Sequence, residues 1–88
     1  MAFTGMDIAA VRAMARQMEQ AAAEIDQVVA RLTATLDGTQ WEGPDAANFR
    51  SEWQGTHTPN VRQMCERLRV IGQVAEKNAQ EQEAASGA

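Results

Sequence analysis

Apolar residues recur through the first half of the chain at Ile8, Val11, Ala15, Met18, Ala22, Ile25, Val29, Leu32 and Leu36. The steps alternate between three and four without a break. That is a heptad pattern, and it predicts an amphipathic helix wound around a neighbour. Met14, Ala21 and Val28 add a second row on the flank of this stripe. One facing helix covers the stripe, and the flanking row needs a second chain, so association is expected. The helix is predicted over about 7–37. Thr4 and Asp7 have capping-box spacing, with Asp7 the other candidate N-cap. Gly38 stands where a left-handed C-terminal residue is expected.

A short connection follows, GTQWEG over 38–43, and short connections favour antiparallel neighbours. Gly43-Pro44-Asp45 has the composition of a helix start: a tolerated N-cap, Pro at the first position, and an acid at the positive helix end. The second helix is predicted over about 44–82. Val61, Met64, Leu68, Ile71 and Ala75 keep the three-and-four spacing, whereas Phe49, Trp53, His57 and Val61 run in fours. The run of fours shifts the stripe as a stutter does. Pro59 cannot donate to the Gly55 carbonyl, so the chain either kinks there or breaks, with Thr58 as a new N-cap. The length of the first stripe favours one kinked helix. The expectation is an all-α fold: a single domain over 1–88, built as an antiparallel helix-turn-helix hairpin that dimerises. Folding about Trp41 pairs residues whose numbers sum to about 83, Ala22 with Val61 and Ala15 with Leu68, with a shift of one turn as the alternative. The small polar tail, about 83–88, is expected to fray.

Size and charge narrow the function. An 88-residue chain hides only about 60% of its exposable surface on folding, so a partner chain adds stability. Eight basic residues stand against twelve acidic ones, a formal charge of −4, and they are spread along the chain. No basic patch marks a nucleic-acid partner. Met1 to Gly5 carries neither a basic region nor an apolar run, so export without a cleaved leader is expected, and no stretch suits stable membrane insertion. The single cysteine, Cys65, excludes an internal disulfide.

The candidate chemistry is interaction, not catalysis. Trp41 lies in a polar loop, where its ring either seals the hairpin end or contacts another chain. His57 and Cys65 are eight residues apart on a helix and cannot chelate one ion. No nucleophile, metal or cofactor set is visible, and no enzyme is expected. Phe49, Trp53, Val61, Met64, Leu68 and Ile71 join the first-helix stripe as core or interface.

Two heptad helices joined by Trp41-Glu42-Gly43 resemble the WXG family, the small early-secreted-antigen-type proteins exported by type VII secretion in actinobacteria and firmicutes. The resemblance spans the whole chain. Gly43-Pro44-Asp45-Ala46, with Phe49 and Trp53, is similar to the second helix of actinobacterial members. The resemblance implies a four-helix bundle made with a second Trp-x-Gly protein or a second copy. It implies export through a membrane ATPase complex from the cytoplasm, as an effector or as the partner of a larger substrate. It also implies that Trp41 and Gly43 form a secretion or partner motif. The family's signal ends on Tyr, three residues, then Asp or Glu. Asn78 and Gln82 stand at that spacing and supply neither group. A membrane-active amphipathic protein and a cytosolic coiled-coil adaptor are the rival readings; the acidic balance argues against the first.

Overall fold

The structure, a computed structural model, describes residues 5–86. Those residues form helices and connections, with no strand among them, in a hairpin 65 Å long. Helix α1 spans Ile8–Asp37, and its 30 residues extend about 45 Å. Asp7 is its N-cap, the carboxylate accepting from the Ala10 N–H at 3.0 Å. Thr4 lies outside the described residues. At the other end Gly38 keeps a right-handed φ of −86° and donates to the Ala34 carbonyl at 3.0 Å. The left-handed C-terminus expected there does not form: the Gly38 and Thr39 N–H groups meet the Ala34 and Leu36 carbonyls with Gly38 in the right-handed region.

Helix α2, Pro44–Glu52, starts from Gly43, whose φ of 109° is the one positive value among the described residues. A side chain at Gly43 would be strained there, so the composition of the turn follows from its backbone. Trp53–His57 then form a single π turn, with the Thr58 N–H donating to the Trp53 carbonyl, and α3 runs on over Thr58–Ser86. Pro59 has no N–H to offer Gly55, so the hydrogen-bond ladder is already one bond short at this point and a widened turn costs little. The π turn replaces the run of fours as the inward face, since Phe49 and His57 are exposed. It takes the inward face from Ala46 and Trp53 to Thr58 and then at sevens to Cys65, Gly72 and Ala79.

The seam between α1 and α3 is made of small residues. Ala15, Ala22 and Val29 are buried on α1, and Thr58, Cys65, Gly72 and Ala79 on α3. The helices approach closely at Gly72, where a Cβ would sit 3.1 Å from the Ala15 carbonyl oxygen and 3.4 Å from the Met18 Cβ. The register therefore pairs residues whose numbers sum to 87, Ala15 with Gly72, one helical turn from the pairing expected by folding about Trp41. The seven-residue spacing then sets Ala22 opposite Cys65, not Val61. Small residues matched across the seam decide this, since only they let the backbones approach.

The first-helix stripe is divided where the heptad pattern treated it as one seam. Ile25 and Leu32 remain exposed, while Val11, Met18 and Leu36 are half-buried. The largest fully buried side chain is Cys65. The α3 helix also continues to Ser86, into the segment expected to fray, and 87–88 lie outside the described residues. Glu83 is held by Arg12 at 3.0 Å, and the Ser86 hydroxyl donates to the Gln82 carbonyl at 2.8 Å.

Candidate functional site

Three surfaces flank the seam, and heptad geometry places them. On a helix, residue i+4 lies about 40° to one side of residue i, and i+3 about 60° to the other. Four residues on from the buried row, α1 carries Arg12, Glu19 and Asp26, and α3 carries Arg69, Glu76 and Glu83. These meet across the hairpin. Arg12 reaches Glu76 at 3.3 Å and Glu83 at 3.0 Å; Arg69 reaches Asp26 at 2.7 Å and Glu19 at 3.4 Å. The Arg69 guanidinium holds the Asp26 carboxyl below the usual carboxylate range, and Asp26 in turn raises Arg69. Burial pushes the Cys65 thiol up, with the Asp26 charge adding to it, so Cys65 is a poor thiolate. Arg69 and its neighbours form a cross-hairpin ladder.

The opposite edge is apolar. Three residues on from the buried rows stand Ile25 and Leu32 on α1 with Val61 and Leu68 on α3. One residue before them stand Met14, Ala21 and Val28 with Met64 and Ile71. Ile25, Val61, Met64, Leu68 and Ile71 line one open groove. Val29 faces the seam instead, and Ile8 and Val11 sit at the far end of α1, half-buried.

The third surface is the hairpin tip. Trp41 is 39% exposed, and its ring lies 5.3 Å from that of Phe49, tilted by 52°. Trp53 is apart from this pair: half-buried, it donates from Nε1 to the Thr33 hydroxyl at 2.9 Å. Arg50 donates to the carbonyls of Trp41 at 2.7 Å, Thr39 at 3.0 Å and Leu36 at 3.5 Å. Sequence reasoning passed over Arg50. The signal for it is indirect: α1 ends on Asp37 with no basic residue in its last turn, which leaves a negative helix end to be met from elsewhere.

No group of three His, Cys, Asp or Glu side chains among the described residues is placed to hold a metal ion. No helix among them is long and apolar enough to cross a membrane. The tip, with Trp41-Glu42-Gly43 between two long antiparallel helices, has its counterpart in a known family. Residues 4–85 match the family model described as proteins of 100 residues with WXG. The chain is a WXG100 protein. WXG100 proteins are small secreted helical proteins of type VII secretion that typically dimerise, and they are not known as enzymes. No curated protein and no solved structure matches this WXG100 chain.

Proposed function

We propose that this chain is half of a four-helix bundle in type VII secretion. It pairs through its apolar edge with a second copy or with another Trp-x-Gly protein, and it offers the Trp41-Glu42-Gly43 tip to the partner or to the export ATPase. The observation that carries this reading is the inversion of the core. The seam buries small side chains, while Ile25, Leu32, Met64 and Ile71 stay 39%, 48%, 69% and 52% exposed on one edge. Solvated residues of that size, at roughly 1.5–3 kcal/mol per buried side chain, are more useful under a second chain. The ion ladder makes the other edge unsuited to an apolar partner, because covering it would desolvate paired charges.

The role is that of an exported effector, or of a chaperone-like partner to a larger substrate, acting by protein–protein contact. The chain is cytoplasmic before export. Asn78 and Gln82 replace the aromatic and the acid of the family's tail signal. Tyr offers a large ring with a polar tip, which Asn cannot imitate, so the chain travels as the passenger of a partner that carries the signal, the alternative being a variant signal built from Glu81 and Glu83. The test is sedimentation of the purified chain, followed by secretion from cells that make it with and without other Trp-x-Gly proteins. A dimer at micromolar concentration and partner-dependent secretion are expected. A helical chain that stays monomeric both alone and when mixed with another Trp-x-Gly protein would refute the bundle, and efficient secretion alone would refute the passenger route.

A further inference from the structure

We propose that Arg50 is the positioning residue of the Trp41-Glu42-Gly43 loop, the side chain that fixes how the Trp41 ring is offered. This rests on the reading of that loop as an export or partner motif. Among the described residues, Gln40, Trp41 and Glu42 donate to no backbone carbonyl, and the connection's own backbone bonding ends with Thr39 donating to Leu36 at 3.2 Å. The loop lacks an internal ladder, so its shape has to come from outside. Arg50 supplies it with one guanidinium. Nη1 takes the Trp41 carbonyl at 2.7 Å, and Nη2 takes those of Thr39 at 3.0 Å and Leu36 at 3.5 Å. The same cation meets the negative end of α1, which has no basic residue of its own and ends on Asp37.

The neighbouring residue completes the hold. Phe49 packs its ring 5.3 Å from that of Trp41. Two consecutive residues of α2 thus grip one loop residue, Phe49 by its ring and Arg50 by its backbone carbonyl. A planar fork can span several carbonyls at once, whereas a lysine ammonium acts as a point charge. Lysine at this place keeps the charge at the end of α1 and loses the grip on the loop.

The experiment uses the full chain with Trp53→Phe, which leaves Trp41 as its sole indole. Arg50→Lys and Arg50→Met are compared with that parent. Arg69→Met serves as the control that weakens the hairpin away from the tip. Helicity is read by circular dichroism, Trp41 exposure by acrylamide quenching, and export by secretion from the protein's own host. Both Arg50 variants are expected to retain helicity while Trp41 quenching rises towards that of free indole, and the control is expected to quench like the parent. Unchanged quenching in the Arg50 variants, or full rescue by lysine, would overturn the proposal. If Arg50→Met loses helicity, Arg50→Lys decides, since it keeps both cation and stem. A freed loop with secretion unchanged would uphold Arg50 as the positioning residue and refute the motif reading of Trp41.

Discussion

Along one edge of the hairpin Arg12, Glu19 and Asp26 meet Arg69, Glu76 and Glu83. Along the other lie Ile25, Val28 and Leu32 with Met64 and Ile71. Both edges repeat every seven residues on both helices, and both flank the same seam of small residues. They differ in whether their chemistry is completed within the chain. Each guanidinium on the ion edge finds carboxylates on the facing helix, so that edge is completed within the hairpin. The apolar edge finds only part of its cover inside the hairpin. A heptad repeat therefore says that a face is buried, while the residues beside it say by whom.

The largest effect is expected on the apolar edge. Val28→Glu places a charge in the proposed bundle interface, where burying it unpaired costs roughly 3–5 kcal/mol. Association measured by sedimentation should collapse while the helicity of each hairpin remains. An unaltered dimer would mean that the partner sits elsewhere. The seam itself ranks next. Gly72→Leu forces atoms into a gap already closed to 3.1 Å at Ala15, and overpacking of this kind costs about 1–3 kcal/mol. Its thermal midpoint should fall, and both edges should suffer together.

Smaller effects belong to the ion edge. Arg69→Met removes the partner of Glu19 and Asp26, pairs that remain partly solvated, so a small loss in hairpin stability is expected, read as a slightly lower thermal midpoint. Its association, at matched folded fraction, should be unchanged, the converse of Val28→Glu. The smallest effect is the pH dependence of Asp26. Its carboxyl is lowered by Arg69 in the folded chain, so the folded state binds the proton less readily than the unfolded one. The pair contributes stability above about pH 4 and loses it as the pH falls through the lowered value. Thermal melts across the acid range should show that part of the slope disappear in Asp26→Asn.

Much of the fold was legible in the residue order. The stripe from Ile8 to Leu36 predicts the first helix. The run of fours through Phe49, Trp53 and His57 marks the stretch where the π turn lies. Trp41 and Gly43 stand out because a ring in a polar loop and a turn glycine each need a local reason. Arg50 was not legible. Its three acceptors come from Leu36, Thr39 and Trp41, residues that only the folded turn brings under one guanidinium.

By itself the sequence determined the elements: helical periodicity, the acid at the start of α1, the glycine and proline that open α2, and the lack of a strand pattern. These are local matters, set by spacing along one chain. Tertiary structure decided the register, because it depends on which small residues across the seam permit close approach, and Gly72 against Ala15 wins over a symmetrical fold about Trp41. It also decided which charges are partnered and which apolar residues stay outside. Arg12 with Glu83 joins positions 71 apart in the chain, and no sequence window contains both ends of such a pair.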